Sequence, residues 1–199
     1  MIKLEASQRL KVSEVRAQEL HNALISDTAG NKHCATYTKE LRNSPKLFKS
    51  LGIKDGVEMM IFQDPPFQVL VMVKNDEVIA YLELVDSSLT SYSHFYKALK
   101  GKYYVAAELF IEKHYRGMKL ATALHLGAMH VFKKLASDIN MAIGAFTAFK
   151  SLEKFGYTLG LINGTEGKVV DFTWGADGVP MIEGNSMTDL NDNFFLYTK

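Results

Sequence analysis

The sequence predicts a mixed α/β domain, and three observations carry that prediction. Two β-rich runs, Gln68 to Val73 and Val78 to Val85, flank the polar tetrad Lys74-Asn75-Asp76-Glu77 and read as a hairpin. A further extended run, Tyr103 to Ile111, breaks at Glu112 to Tyr115, reaches Arg116-Gly117 and opens into a helical pattern. There Leu120, Leu124, Ala128, Val131 and Leu135 recur at steps of three or four, as on one buried helical face. The third observation is size: 199 residues, 47% hydrophobic, with no internal repeat or low-complexity tract, suit one well-buried core. Residues 1–199 are read as one domain.

Taken in order, Met1 to Glu5 alternates like a short strand, and Ser13 is placed to cap a helix from Glu14 to Ser26 with Ala17, Leu20 and Leu24 on one side. Asp27 to Thr36 is polar and contains glycine, so a loop is expected. Tyr37 to Leu51 is weakly helical, with a break at Ser44-Pro45. Met59 to Phe62 reads as a short strand before Pro65-Pro66, which no interior strand accommodates. After the hairpin, Asp86 to Lys102 is a long connection, of the kind that is often functional in a compact domain. Beyond the long helix, Ile139 to Phe146 is expected as a strand and Ala148 to Phe155 as a short helix stopped by Gly156. Val169 to Trp174 and Phe194 to Thr198 read as closing strands.

Composition excludes several classes of function. With 23 basic and 22 acidic residues the formal net charge is +1, which gives no dense basic surface for nucleic acid or an anionic membrane. The acids crowd late: Glu166, Asp171, Asp177, Glu183, Asp189 and Asp192 face one basic residue, Lys168, between Thr165 and Asn193, and read as a solvated region. A lone Cys34 permits no intramolecular disulfide and suits a reducing compartment. No apolar run reaches the ~18 residues of a membrane span, and the first residues do not read as a secretory leader, so a cytoplasmic protein is expected. His125 and His130 lie five apart, and His21, His33, His94 and His114 have no ligand-like spacing, so no metal is expected.

The chemistry concentrates where the strand meets the helix. The first turn of a helix carries amides without intrahelical partners and the positive end of the peptide dipoles, a ready anion site. Gly117 gives the turn its freedom, and Arg116 and Lys119 add positive charge. Leu109-Phe110-Ile111, four residues, then Arg116-Gly117-Met118-Lys119-Leu120-Ala121 resembles the acyl-CoA signature of the GNAT superfamily of N-acyltransferases, a strand followed by an Arg/Gln-x-x-Gly-x-Gly/Ala loop. Arg116 and Ala121 match; Lys119 stands at the usual central glycine. Downstream, Ala148 to Tyr157 is similar to the family's A-x-x-x-Y-E-K-x-G-F segment, with Leu152 in place of the tyrosine.

The resemblance covers Gln68 to Tyr157 and implies a GNAT-like α/β domain, a mixed, mostly antiparallel sheet with helices on both faces. It implies acetyl-CoA or another acyl-CoA as co-substrate, held at Leu109, Phe110, Ile111, Arg116, Gly117, Met118, Lys119, Leu120 and Ala121, and direct transfer to an amine of a small molecule or protein. An amine with a pKa near 10.4 must lose a proton that costs about 4.6 kcal/mol to remove at pH 7. Glu108, on the signature strand, stands where some family members carry an acid for that relay; its alternative is a solvated glutamate. The tyrosine that protonates the leaving thiolate in many relatives is Leu152 here. The alternative function is a non-catalytic GNAT-fold protein with a binding or structural role, for instance in a viral assembly. Neither nucleic acid nor membrane is an expected partner; a homodimer is left open.

Overall fold

A computed structural model describes residues 26–90, 93–139, 143–186 and 193–199. The strand expected at Met1 to Glu5 and most of the helix expected from Glu14 lie outside these residues. Residues 26–43 form a helix, α1, where a loop was expected as far as Thr36. Gly30, Cys34 and Tyr37 are buried and Leu41 half-buried, at steps of four, three and four, which is one helical face. Packing of that stripe on the sheet offsets the ~1 kcal/mol that a glycine costs inside a helix. The helix stops before Ser44-Pro45, as expected, and a 3₁₀ turn follows at Pro45–Leu47.

The strand β1, Lys49–Lys54, then takes in Lys49 to Leu51, the end of the stretch read as weak helix. Asp55 and Gly56, both at positive φ, turn it into β2, Val57–Asp64. β3, Phe67–Lys74, and β4, Glu77–Asp86, form the expected hairpin, with Asn75 and Asp76 both at positive φ between the paired Lys74 and Glu77. These two strands are buried on both faces over most of their length, and their near-continuous apolar runs follow from that. β5 is Tyr104–Ile111, and α2, Leu120–Phe132, carries the chain across to β6, Leu135–Ser137.

Three expectations in the second half need correction. Leu135 belongs to β6, because α2 ends at Lys133 in a left-handed conformation. The strand expected over Ile139 to Phe146 is replaced by α3, Ile143–Leu152, continued by a 3₁₀ turn at Glu153–Phe155 and stopped by Gly156 at φ 86°. Val169 to Trp174 is two strands, divided between two sheets: β8, Lys168–Val170, and β9, Thr173–Trp174. β7, Leu159–Asn163, precedes them; β10, Pro180–Ile182, and β11, Asn185–Ser186, complete a three-stranded sheet with β9. The last strand, β12, is Phe194–Thr198.

The main sheet has nine strands in the order β1, β2, β3, β4, β5, β6, β12, β7, β8, and among the described pairings only β5 with β6 is parallel. The protein is thus α/β with a large, mostly antiparallel mixed sheet, and the described helices lie on both faces. α2 and α3 cover Leu70, Met72, Leu82 and Leu84 with Leu124, Phe146 and Phe149. α1 covers Val69, Val71, Tyr81 and Phe110 with Cys34 and Tyr37. The connection from Asp86 to Lys102 packs Tyr96 into a third cluster with Val85, Val105 and Phe195, and the Tyr96 hydroxyl donates to the Ser137 carbonyl at 3.0 Å. No described helix is long and apolar enough to cross a membrane.

Candidate functional site

At the end of β5 the chain passes through a 3₁₀ turn, Lys113–Tyr115, to Arg116 and the loop before α2. Gly117 (φ 85°) and Lys119 (φ 60°, ψ 20°) both take left-handed backbone. Nothing lies within 4 Å of where a Cβ on Gly117 would sit, so backbone angle rather than crowding demands glycine there. Lys119 adopts, at some cost, the conformation that a glycine takes freely. The first helical bond of α2 runs from the Ala123 amide to the Lys119 carbonyl at 3.1 Å, so the amides of Leu120, Ala121 and Thr122 lie outside the helix ladder. Lys119 makes no side-chain cap and the first turn holds no acid, which leaves this positive helix end without a competing carboxylate.

The expected site residues divide into two sets. Leu109, Ile111 and Leu120 pack their side chains on the core under α2, and Ala121 is half-buried, so their contribution to a loop site is backbone. Met118 is 52% exposed at the loop and Lys119 is exposed beside it. Phe110 is buried on the opposite face under Gly30, where an added Cβ would overlap its ring. Arg116 turns away from the amides: its Nε donates to the Ile111 carbonyl at 3.0 Å and its guanidinium pairs with Asp27 of α1, over the Phe110 ring. Its charge ties β5 to α1.

β6 pairs with β5 only at Tyr104, Val105 and Ala106. From Ala107 to Ile111, β5 has β4 on one side and no described strand on the other, an open edge leading to the loop. Ala107 is also the extra residue of a β-bulge: Ala106 pairs with Leu84, but Glu108 pairs with Glu83. The bulge shifts the alternation, so Ala106 packs toward α2 while Glu108 and Phe110 face α1.

Glu108 does not stand alone there. Glu83, 6% exposed, faces it across the strands; Tyr37 donates its hydroxyl to Glu83 and Tyr81 donates to Glu108. His33 of α1 places Nδ1 3.5 Å from the Glu83 carboxylate. The Tyr37 and Tyr81 rings meet edge to face at 5.4 Å and His33 lies 5.7 Å from Tyr81. Burial, with the nearby Glu108 charge adding, raises the Glu83 carboxyl above the usual carboxylate range, while Tyr37 and His33 oppose the rise. Burial and the bonds to carboxylates also raise both tyrosines. Sequence reading missed His33, Tyr37, Tyr81 and Glu83. Glu83 left a signal, as the one charge inside the apolar run Val78 to Val85.

Two cavities flank these features. One of about 680 Å³ lies between α2 and the β1–β2 hairpin, walled by Met59, Met72, Met118, Leu120 and Ala123. The other, about 390 Å³, is polar and lined by Cys34, Thr38, Arg42, Glu77 and Glu112. Burial pushes the Cys34 thiol up to about 12, so it stays protonated and unreactive at neutral pH. At the second motif, Leu152 is fully buried; neighbouring Ser151 donates to the Ala148 carbonyl at 2.6 Å and bonds Thr122 at 2.9 Å, joining α3 to the first turn of α2. No protein-family model matches the chain, and neither does any curated protein.

Proposed function

We propose that the protein is an acyl-CoA-dependent N-acyltransferase of the GNAT type, transferring an acyl group directly to an amine. One observation carries the reading: the acid-free, uncapped start of α2 is joined by an open strand edge to a carboxylate pair. The amides of Leu120, Ala121 and Thr122, with the Lys119 ammonium, suit a pyrophosphate. The unpaired edge of β5 from Ala107 to Ile111 suits the amide groups of an extended pantetheine arm, as an added strand would. Ile111 lies three residue steps along β5 from Glu108, about 10 Å of extended chain, which keeps phosphate and carboxylate at opposite ends of that edge.

In this reading Glu108 takes the proton of the incoming ammonium, and the freed nitrogen forms a bond to the thioester carbonyl carbon. The carbonyl π electrons move onto oxygen as that bond forms; when they return, the carbon–sulfur bond breaks, its electron pair leaves with the thiolate, and the nitrogen releases its second proton to solvent. Leu152 supplies no proton to it, and the two tyrosines of the carboxylate cluster, held protonated by burial, are weak acids. The thiolate therefore takes its proton from solvent. Glu83 remains the partner that fixes Tyr37 and the inner wall of the cluster.

Acetyl-CoA at a hundred times its dissociation constant should stabilise the fold by about 2.7 kcal/mol, or roughly 5 to 10 °C in melting temperature. Lys119→Glu should melt like the unmodified protein without ligand, since a carboxylate suits a helix start, yet lose that shift. If neither acetyl-CoA nor free CoA moves the melting curve at millimolar concentration, the acyltransferase reading fails and a non-catalytic role takes its place.

A further inference from the structure

The carboxylate cluster has a second property that the acyl-transfer reading does not use. His33, Glu83 and Glu108 come from α1, β4 and β5, and one ligand atom of each lies within 4.8 Å of the others. Among the described residues neither glutamate pairs with a lysine or arginine, although Glu83 is almost wholly buried and Glu108 faces it in register. His33 Nδ1 is shut off from solvent and makes no well-formed hydrogen bond, its neighbour the Glu83 carboxylate standing 3.5 Å away, so a buried nitrogen is only weakly satisfied. We propose that this niche binds one divalent transition-metal ion, of the zinc or manganese class, through His33 Nδ1 and one oxygen each of Glu83 and Glu108.

The chemistry of the donor set supports that choice. One imidazole and two carboxylates neutralise a 2+ ion, and the imidazole favours a transition metal over magnesium. Three protein ligands leave a further position open to water. Tyr37 bonds Glu83 Oε1, the oxygen 3.5 Å from His33 Nδ1, and Tyr81 bonds Glu108 Oε1, so each tyrosine orients one carboxylate, as outer partners of metal ligands do. Tetrahedral ligands at about 2.0 to 2.2 Å from a metal stand about 3.4 Å apart, so a cluster within 4.8 Å must contract by up to about 1.4 Å. His33, 43% exposed, and Glu108, exposed, can move inward while Glu83 stays in place. The inference does not rest on acyl transfer. A bound ion would take the Glu108 lone pair that an amine proton needs, so the two occupancies exclude each other.

The test uses the full chain, stripped with a chelator and dialysed, then titrated by calorimetry with Zn²⁺, Mn²⁺ and Mg²⁺, with Co²⁺ absorption as a spectroscopic readout. One Zn²⁺ or Mn²⁺ per chain, at least tenfold tighter than Mg²⁺, and visible Co²⁺ bands are expected. His33→Ala, altered at a half-exposed site, and Glu83→Gln, which keeps the tyrosine bond, should each weaken binding at least a hundredfold and remove the bands. Circular dichroism melts verify that both variants fold. No stoichiometric ion in the unmodified protein, equal Mg²⁺ affinity, or undiminished binding in folded His33→Ala would overturn the proposal. The acetyl-CoA melting shift, measured in chelator and on His33→Ala, is a separate readout: it should persist there, so a failed metal site and a failed acyltransferase reading give different results.

Discussion

The two faces of the main sheet are built on opposite principles. Under α2 and α3 the contacts are aliphatic and aromatic, and His125 is the buried ionisable group, its Nδ1 donating to the Ala121 carbonyl at 2.8 Å. Under α1 the same strands present Tyr81, Glu83 and Glu108, met by Tyr37 and His33. Dry packing is where stability resides, because apolar burial contributes without a desolvation cost. The α1 face gives up some of that to hold charge out of water. A division of labour follows: one face fixes the fold, and the other holds the groups that can act.

Leu124, fully buried on α2, tests the dry face most severely. Leu124→Ala should cost about 3 to 5 kcal/mol in a urea melt, the range for truncations that leave a cavity. A loss under about 1 kcal/mol would mean that this face is not the mainstay. His125 gives the next largest effect. Burial, against the opposing bond to Ala121, lowers it from 6.5 to about 4. The unfolded chain therefore takes up a proton below pH 6.5 that the native chain refuses until pH 4. Stability from this group is complete above pH 6.5 and falls by about 3 kcal/mol as the pH drops to 4. His125→Leu should flatten that part of the profile, and an unchanged slope would place the acid sensitivity elsewhere.

On the other face, Gly30→Ala should cost about 1 to 3 kcal/mol, since its methyl group would overlap the Phe110 ring and lift α1. A variant with unchanged melting would show that α1 seats more loosely than these distances require. Glu83→Gln should have the smallest effect on stability. A carboxyl raised by burial is costly to ionise at neutral pH, so the neutral amide in chelator should melt at the same temperature or slightly higher. A fall of several degrees would show that the charge itself holds the face together, and the contrast between the faces would collapse.

What was legible in the sequence follows the same division. β3 and β4 were readable because they are buried on both sides and show long apolar runs, and β5 because its sequence is apolar on either side of Glu108. α1 was not, because its inward stripe is Gly30, Cys34, Tyr37 and Leu41, too sparse to rise above a polar background. His33 therefore had no element to stand on, and Tyr37 stood only at the start of a weakly helical stretch. β6 was hidden because Leu135 continues the spacing of α2, and Lys133 takes a left-handed cap with no glycine to announce it. The loop positions of Gly117 and Lys119 were visible, but the capture of Arg116 by Asp27 was not, since that pair joins residues 89 apart.

The extra residue at Ala107 makes this strand tolerant of one change and intolerant of its mirror image. Loss of that one codon would leave Glu108 next to Ala106, and ordinary alternation would then keep Glu108 and Phe110 toward α1 and Leu109 and Ile111 toward α2, with the local bend relaxed. A residue inserted after Ala107 without a second bulge would instead turn Glu108 to Ile111 to the opposite faces and drive a carboxylate into the aliphatic layer. The placement of Glu108 is thus written in the parity of a strand as much as in its letters.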